Sequence, residues 1–252
     1  MKIISWNVNG LRSIERKGFL SWLEQNSPEI ICLQEIKVTE DRLRDEFKKL
    51  KGYNTYFNFA DEVGYSGVAV FTKEKPKFVE NVLGLKRFDK EGRFLRLDFS
   101  DFILINIYIP HGGRKKENLR YKIDVYKALI KYLTKLKDQK VILVGDFNIA
   151  REDIDLARPK QNKNNIMFTQ EERDIIKSMV NLGFIDTFRS QHLTQKDWYT
   201  WWPYAFEARE RNLGWRIDYI FITKKLQDKL KESFILTRDK GSDHCPIGIE
   251  IL

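Results

Sequence analysis

The feature that most constrains the fold is an uninterrupted apolar run that ends in polar residues, Val141-Ile142-Leu143-Val144-Gly145-Asp146-Phe147-Asn148. Such a run is typical of a strand buried on both faces of a sheet in an α/β protein, and ligands collect where these strands end. Asp146 and Asn148 lie two apart, so in extended backbone both side chains address one ligand. The alternative is a polar turn closing a core strand, with Gly145 as the residue that lets the chain turn.

Length and composition favour one domain over residues 1–252, because 252 residues with 42% hydrophobic content can bury a substantial core and no Pro/Gly/Ser-rich linker divides the chain. Met1 leads directly into the first apolar segment, and no membrane-spanning segment is visible. Two cysteines, Cys32 and Cys245, do not suggest a disulfide framework. We therefore expect an intracellular protein, cytoplasmic if the source is a prokaryote, with no membrane partner.

The chain is basic, with 45 Lys+Arg against 36 Asp+Glu, a formal charge of +9 and a pI of about 9.3. This balance favours polyanionic partners. Charge alone does not decide the matter, because a Lys/Glu/Ile-rich composition also follows from genome bias or growth temperature.

Other apolar segments end as the first one does. Residues 2–6 are predicted to form a strand that leads to Asn7 and Asn9, and residues 30–33 a strand that leads to Glu35 and Lys37. Further strands are predicted at two places between residues 53 and 71 and at 93–99, 102–109, 199–202, 216–223, 233–236 and 246–251. Helices are predicted at 18–25, at 119–136 and after a capping box formed by Thr169 and Glu172, whereas 151–166 is predicted to cross the surface.

Both halves of the chain run from apolar strands into loops that carry asparagines and acids. This pattern predicts two similar layers packed together, with their loops converging along one edge. The polar side chains expected there are Asn7, Glu35, Tyr108, Asp146, Asn148, Asp218, Asp243 and His244. Several carboxylates and a histidine without a cysteine pair suit a hard cation such as Mg²⁺ or Mn²⁺ and indicate phosphate chemistry.

Seven motifs in this order resemble the exonuclease III family of abasic-site endonucleases, within the DNase I-like endonuclease/exonuclease/phosphatase superfamily. They are Ser5-Trp6-Asn7-Val8-Asn9-Gly10-Leu11-Arg12, Cys32-Leu33-Gln34-Glu35, Gly64-Tyr65-Ser66-Gly67-Val68, Tyr108-Ile109-Pro110, Gly145-Asp146-Phe147-Asn148, Asn212-Leu213-Gly214-Trp215-Arg216-Ile217-Asp218-Tyr219 and Gly241-Ser242-Asp243-His244-Cys245-Pro246-Ile247. The resemblance covers essentially the whole chain. It implies an α/β fold, a four-layer sandwich of two packed mixed β-sheets flanked by helices.

The resemblance also implies a metal site for Mg²⁺, with Mn²⁺ as a substitute. Glu35 corresponds to the principal ligating carboxylate, Asn7 and Asn9 lie beside the ion, and Asp243 is a further ligand. The alternative for Glu35 is a solvated acid at a strand end.

Five catalytic roles follow from the same resemblance. Asp146 matches the residue that activates or orients the attacking water, and Asn148 the amide that holds the phosphate. Asp218 pairs with His244 and favours its imidazolium form, and Tyr108 matches a phenol that contacts the phosphate. The alternatives are a core histidine at position 244 and a packing tyrosine at position 108.

Substrate choice is expected to come from an apolar pocket. Trp201, Trp215 and Ile217 match positions that enclose a flipped-out sugar without a base, and Asn162 and Asn165 match amides that flank it.

Contacts to backbone phosphates are expected from the cations Arg12, Lys37, Arg114, Lys160, Arg209 and Arg211. His111 stands where relatives carry Asn or Gln, so a phosphate contact there is expected to change in strength or to depend on pH. Met167 and Ala205 also depart from the family pattern and leave the dimensions of the pocket open.

The resemblance implies a monomeric, nucleoid-associated DNA-repair enzyme that cuts double-stranded DNA 5′ to abasic sites, leaves a 3′-hydroxyl and acts on 3′ ends as a 3′→5′ exonuclease. Two alternatives stay open at this point. One is a related phosphoesterase acting on RNA or small phosphate esters, and the other is a noncatalytic DNA-binding module.

Overall fold

Two six-stranded mixed sheets form the centre of the protein in a computed structural model that describes residues 1–252. The strands of sheet A are β1 (Lys2–Asn7), β2 (Ile30–Gln34), β3 (Asn54–Asn58), β4 (Val68–Thr72), β11 (Leu230–Ile235) and β12 (Ile247–Ile251). Those of sheet B are β5 (Phe78–Glu80), β6 (Phe94–Asp98), β7 (Ile103–Tyr108), β8 (Val141–Asp146), β9 (Phe184–Asp186) and β10 (Asp218–Thr223). The spatial orders are β11-β12-β1-β2-β4-β3 and β5-β6-β7-β8-β10-β9. Each sheet has one parallel pair at its centre, β1 with β2 and β7 with β8.

Eight helices connect these strands. They are α1 (Leu11–Arg16), α2 (Phe19–Asn26), α3 (Asp45–Lys48), α4 (Lys86–Lys90), α5 (Leu119–Thr134), α6 (Pro159–Asn162), α7 (Gln170–Asn181) and α8 (Thr187–Gln191). None of the helices combines the length and the apolar character that crossing a bilayer requires.

The apolar side chains lie in three layers. Ile3 of sheet A and Val144 of sheet B belong to the layer between the two sheets. Phe19 of α2 packs on the outer face of sheet A, and Leu129 of α5 and Ile176 of α7 pack on the outer face of sheet B. The expected four-layer α/β sandwich is therefore confirmed.

A polar bridge crosses the apolar layer between the sheets. Gln34 of β2 donates from Nε2 to Oδ1 of Asn106 on β7 over 2.7 Å, and both side chains are fully buried. Asn106 donates from Nδ2 to the carbonyl oxygens of Leu33 (3.1 Å) and Ala69 (2.9 Å) in sheet A. Because buried amides need partners of fixed geometry, this bridge sets the register between the sheets.

The capping box predicted before α7 is confirmed. The Thr169 hydroxyl accepts a hydrogen bond from the Glu172 backbone N–H (3.3 Å), and the Glu172 carboxylate accepts one from the Thr169 backbone N–H (3.0 Å). The two cysteines are free and buried, in agreement with the expectation that the chain has no disulfide framework.

The strand predicted at residues 199–202 is wrong. Trp201 forms only isolated bridges, to Trp215 and to His244. The backbone N–H groups of Thr200 and Trp201 both donate to the carbonyl of Trp215 (2.9 Å each), while that of Trp202 donates to Asp243. This convergence on one carbonyl replaces a regular ladder.

The surface path predicted for residues 151–166 is only partly correct. Asp155 is fully buried and ends a short 3₁₀ turn. Its Oδ1 accepts hydrogen bonds from Arg189 Nη2 (2.7 Å) and Arg216 Nε (2.8 Å). Because the Asp155 carboxylate pairs with two arginines, the middle of the segment is buried and not on the surface.

Gly145 lies inside β8, opposite Ile107 of β7 and Tyr219 of β10, and does not form the predicted turn. Its φ is 145°, and a Cβ atom added there would lie 1.8 Å from the carbonyl oxygen of Ile107. Glycine is required because the neighbouring strand approaches too closely for any side chain.

Candidate active site

Five polar side chains converge where the central strands of both sheets end. Asn7 and Asp146 are the last residues of β1 and β8, Tyr108 is the last residue of β7, and Glu35 follows directly after β2. Asp218 begins β10 and pairs with Asp146 in the antiparallel ladder. The carboxyl ends of the two parallel strand pairs, together with the start of the antiparallel β10, thus place these side chains at one edge of the sandwich.

Asn7 holds two carboxylates together. Its buried Nδ2 donates to Oε1 of Glu35 and to Oδ2 of Asp146, each over 2.9 Å. Its Oδ1 accepts a hydrogen bond from the Asn9 backbone N–H over 3.1 Å. In this orientation the amide nitrogen faces the carboxylates, so Asn7 bridges them.

Asp146 is fixed in place and is poised to accept a proton. Its Oδ1 accepts a hydrogen bond from the Asn148 backbone N–H over 2.8 Å, and its Oδ2 lies 3.2 Å from Nδ2 of Asn148. Burial, the charge of Asp218 and the charge of Glu35 raise the pKa of Asp146 to about 8, although His244 acts in the opposite direction. A carboxylate with that pKa suits general base chemistry near neutral pH.

His244 is held as an imidazolium. Its Nδ1 lies 2.8 Å from Oδ2 of Asp218, and Nε2 lies 3.9 Å from Oδ2 of Asp146. Burial lowers the pKa of His244, but the charge and hydrogen bond of Asp218 outweigh it and raise the pKa to about 10. Thr200 donates from Oγ1 to the same Asp218 oxygen over 2.6 Å. Thr200 lies in the stretch wrongly predicted to form a strand, and no motif in the sequence marked it as part of the site.

A divalent cation fits beside Glu35. Donor atoms of Glu35, Asp146 and His244 all lie within 4.8 Å of one another. An imidazolium has no free lone pair, so the oxygens of the two carboxylates are the available ligands, and such oxygens suit a hard cation. Although burial opposes it, the charge of Lys37 and the hydrogen bond from Asn7 lower the pKa of Glu35 and keep it ionised.

The other predicted ligands lie outside this cluster. Asn9 donates from Nδ2 to Oδ1 of Asp243 over 2.9 Å, and Trp201 donates from Nε1 to Oδ2 of Asp243 over 3.1 Å. Lys37 was predicted to contact a DNA phosphate, but its ammonium lies 2.5 Å from both Glu35 Oε2 and Asn9 Oδ1. The predicted ligands therefore form two groups, Glu35 with Asn7 and Asn9 with Asp243. The ammonium of Lys37 contacts one residue of each group.

Tyr108 is a neutral hydrogen-bond donor in this site. Burial and the negative charges of Glu35 and Asp146 raise the pKa of its phenol well above the ordinary value, against the effect of Arg93. The guanidinium of Arg93 lies 4.3 Å from the centre of the Tyr108 ring and is itself buried. This packing fixes the ring at the end of β7.

Four residues around the site adopt left-handed backbone conformations. Their φ values are 46° for Asn9, 52° for Glu35, 48° for Lys37 and 51° for Asn148. Glutamate and lysine rarely adopt this conformation, and such strain collects at functional sites. The strand ends are therefore bent to aim these side chains inward.

The residues predicted to form the apolar pocket belong to one cluster. Trp215 and Ile217 pack with Met167 and Phe168, and Trp201 lies against them half-buried. Trp215 is 8% exposed and Ile217 is 1% exposed, so Trp201 presents more surface than either. Met167 contributes to the cluster itself, which explains how a larger residue is accommodated at that position.

The two amides predicted to flank the pocket are bonded to each other at the end of α6. Asn165 donates from Nδ2 to Oδ1 of Asn162 over 3.0 Å. Asn162 donates to the carbonyl oxygens of Ala157 and Arg158 (3.1 Å each). Asn162 therefore supports the local turn, and the more exposed Asn165 is the freer of the two amides.

The predicted phosphate contacts divide into two groups. Exposed side chains are found at Arg12, Arg114, Lys160 and Arg211. Arg209 corrects the prediction, because its guanidinium donates to the carbonyl oxygens of Ser242 (2.8 Å), Thr237 (3.2 Å) and Asp239 (2.6 Å). The guanidinium of Arg209 is therefore engaged in hydrogen bonds within the protein.

His111 is a neutral side chain near neutral pH. Burial and the charge of Lys122 lower its pKa. A protonated, phosphate-binding form of His111 is therefore expected only in acidic solution.

Comparison with known proteins agrees with this geometry. The chain matches the Endonuclease/Exonuclease/phosphatase family over residues 4–244. The exodeoxyribonuclease of Bacillus subtilis (strain 168) is 40% identical over 253 residues, with 100% of this chain and 99% of the relative covered.

Two solved structures are similar over the whole chain. An AP endonuclease from Archaeoglobus fulgidus has a TM-score of 0.90 at 31% identity, with 100% of this chain and 99% of that chain covered. The 3′ phosphatase NExo from Neisseria, bound to a product DNA hairpin, has a TM-score of 0.92 at 28% identity with the same coverage. The chain belongs to the endonuclease/exonuclease/phosphatase family, and within it to the group of abasic-site endonucleases and exodeoxyribonucleases that its motifs resemble.

Proposed function

We propose that the protein is a DNA-repair phosphodiesterase that hydrolyses the backbone of double-stranded DNA 5′ to abasic sites, leaves a 3′-hydroxyl and also processes 3′ ends. The observation that carries the proposal is a buried carboxylate, Asp146, with a pKa of about 8, set beside the imidazolium of His244. The names of similar proteins support the substrate, since they include an exodeoxyribonuclease, an AP endonuclease and a 3′ phosphatase bound to DNA.

The proposed reaction is an in-line displacement at phosphorus. Asp146 takes a proton from water as the water oxygen forms its bond to phosphorus. The N–H of His244 Nε2 and the amide of Asn148 bind the non-bridging oxygens, where negative charge develops. The bond from phosphorus to the 3′-oxygen breaks. The phenol of Tyr108 donates a hydrogen bond to that leaving oxygen, which takes a proton from solvent water to become the 3′-hydroxyl.

We propose Mg²⁺ as the cofactor, with Mn²⁺ as a substitute. Glu35 would be its principal ligand, beside Asp146, and the bound ion would neutralise charge on the scissile phosphate. Lys37 would have to share Glu35 with the cation, because its ammonium now lies 2.5 Å from Oε2.

The apolar cluster and the exposed cations support the choice of substrate. An abasic nucleotide costs little to turn out of a duplex, and a site beside Trp201 and Trp215 too small for a base would select it. Arg12 and Arg114 are exposed and available to the DNA backbone. Double-stranded DNA with abasic sites or 3′ ends is therefore the proposed partner, and we propose that the protein acts as a monomer.

Asp146→Asn tests the proposal. This change keeps the size of the side chain but removes the proton acceptor, so incision of an end-labelled abasic duplex should fall about 100-fold or more. Binding of the same duplex, measured by fluorescence anisotropy, should change little. Asp174→Asn, on the exposed face of α7, is the matched control.

Wild-type turnover by Asp146→Asn would contradict the assigned base, and incision that persists in excess EDTA would contradict the metal requirement. Abasic DNA should be cut faster than intact DNA, RNA or bis(p-nitrophenyl) phosphate. A preference for RNA or for the small ester would instead identify a related phosphoesterase with another substrate.

A further inference from the structure

A buried ion pair lies behind the proposed site. Nζ of Lys122 on α5 lies 2.6 Å from Oε1 of Glu172 on α7, and both side chains are 0% exposed. Neither residue takes part in the reaction proposed above. Lysine and glutamate are rarely buried completely, so this pair calls for a physical explanation.

Lys122 reaches two loops that end at the site. Besides Glu172, its ammonium donates to the carbonyl oxygen of Asn148 over 2.6 Å and to that of His111 over 3.1 Å. All three N–H groups of the ammonium are therefore used. The carbonyl of Asn148 belongs to a residue with left-handed backbone, two positions after Asp146, so Lys122 holds that bent segment in place.

Glu172 holds the wall of the apolar cluster. Its Oε1 accepts a hydrogen bond from the Met167 backbone N–H (3.1 Å), and its Oε2 accepts from the backbone N–H (3.0 Å) and hydroxyl (2.8 Å) of Thr169. Phe168, which lies between Met167 and Thr169 in the sequence, packs edge-on against Trp215 with ring centres 6.2 Å apart. One carboxylate thus fixes the segment that backs the cluster.

Stability alone does not explain such a pair. Removing two charges from water costs about as much free energy as their attraction returns, and well-packed apolar residues in place of a buried pair often leave stability unchanged or increase it. What the pair supplies is directional hydrogen bonding to three separate backbone segments, which apolar side chains cannot reproduce.

We propose that Lys122 and Glu172 are positioning residues that fix the distance between the pocket wall, residues 166–168, and the strand end that carries Asp146 and Asn148. A substrate seated against the wall is thereby aligned with the proton acceptor. The inference rests on the proposed function for the identity of the substrate, but the coupling between wall and strand end follows from the hydrogen bonds alone.

The test is the double variant Lys122→Met/Glu172→Leu, compared with each single variant by thermal unfolding and by steady-state incision of an abasic duplex with Mg²⁺. Each single variant should unfold at a lower temperature, because it leaves one charge buried without a partner. The double variant should recover the part of that loss that comes from an unpaired charge, but not the part that comes from the backbone groups left without partners. Its kcat should stay roughly tenfold or more below wild type, and its KM should stay within about threefold.

A double variant that recovers both stability and kcat would show that the pair is only structural and would overturn the proposal. Glu172→Gln, which keeps the shape of the side chain and one acceptor oxygen, provides a second measurement, and wild-type kcat in that folded variant would also overturn it. Arg96→Met/Asp98→Leu is the matched control, because Asp98 pairs with Ile103 at the far end of β7. Wild-type kcat is expected for that control.

These outcomes are independent of the proposed substrate. Incision by the wild-type protein tests the function, whereas the ratio of variant to wild type tests the pair. If the wild-type protein prefers another phosphodiester, the same ratio is measured on that ester.

Discussion

At the scale of single residues, the site is built from groups that set each other's charge. Asp218 keeps His244 cationic through a hydrogen bond of 2.8 Å, and together with burial and Glu35 it makes Asp146 a stronger proton acceptor. One carboxylate therefore tunes both partners of the proposed acid–base pair. This mutual dependence gives the pH dependence of the reaction a defined sign.

Activity requires Asp146 without its proton and His244 with its proton. The rate should rise as Asp146 loses its proton and fall as His244 loses its proton. Burial and neighbouring charges raise the pKa of Asp146 to about 8, and Asp218 raises that of His244 to about 10, whereas Mg²⁺ bound beside Asp146 would move the acidic limb to lower pH. Asp218→Asn removes the charge that raises both pKa values, so both limbs of the kcat/KM profile should move to lower pH. The alkaline limb should move further, because His244 also loses its bond to a carboxylate.

The measurement is incision of the abasic duplex between pH 6 and about pH 10.5 at fixed Mg²⁺. Asp228→Asn, at an exposed position, serves as the control. An alkaline limb that stays where the wild-type limb lies would contradict the role given to Asp218.

Some of these residues could be predicted from the sequence and others could not. Glu35 and Asp146 each follow an apolar run, and the ends of such runs meet at one edge of a sheet, so their proximity was predictable. Thr200 and Lys122 carry no such local signal. A threonine between aromatic residues and a lysine on an amphipathic helix ordinarily lie at packed or solvated positions, and only the tertiary structure shows their hydrogen bonds.

At the scale of elements, the end of β8 is shaped by its neighbour β7. Gly145 allows the two parallel strands to approach so closely that a Cβ atom would lie 1.8 Å from a carbonyl oxygen. The strand can then continue without a bulge to Asp146. The sequence marked this glycine as a turn residue because its role depends on a strand that is distant along the chain.

Gly145→Ala should lower the free energy of unfolding by about 3 kcal/mol, because the backbone of β7 must shift to accept the methyl group. Urea denaturation followed by circular dichroism measures the change. Gly183→Ala is the matched control, since Gly183 also has positive φ (99°) but nothing lies within 4 Å of an added Cβ.

The control should lose only about 1 kcal/mol, the cost of backbone strain. Equal losses in the two variants would show that conformation, and not the close approach of β7, requires the glycine.

The elements that were predicted wrongly share a cause. Residues 199–202 have the aromatic composition of a strand, but their backbone N–H groups turn toward Trp215. The segment around Asp155 has the polarity of a surface loop, but two arginines neutralise that carboxylate inside the protein. Sequence periodicity reports the intrinsic tendency of a segment to form a helix or a strand. The conformations of both segments are instead determined by hydrogen bonds and ion pairs with residues elsewhere in the chain.

At the scale of the whole molecule, a net charge of +9 is spread over a surface whose individual cations differ in availability. Arg12 is exposed on α1, whereas Arg209 is hydrogen-bonded to three backbone carbonyls. A count of lysines and arginines in the sequence cannot distinguish an exposed cation from one that is hydrogen-bonded within the protein. The salt dependence of DNA binding can show which cations contact phosphates.

Arg12→Ala should weaken binding of duplex DNA and reduce the slope of log K against log salt concentration by about 1, because one phosphate contact is lost. Fluorescence anisotropy over a salt series measures this slope. Lys231→Ala, on β11 near the far end of sheet A, should leave the slope unchanged. A change of equal size in both variants would mean that overall charge, and not a contact at Arg12, drives binding.

The order of strands in sheet A also bears on how the protein is made. β1 lies between β2 and β12, so the first strand of the chain pairs with the last one. Asn7 ends β1, whereas His244 lies in the loop just before β12, separated from it by Cys245 and Pro246. During synthesis the amino-terminal half of the site must wait until the residues up to His244 and β12 have left the ribosome. A polypeptide that has not been synthesised as far as His244 therefore lacks one of the groups of the proposed site, so the two halves of the site can meet only after that residue has been added.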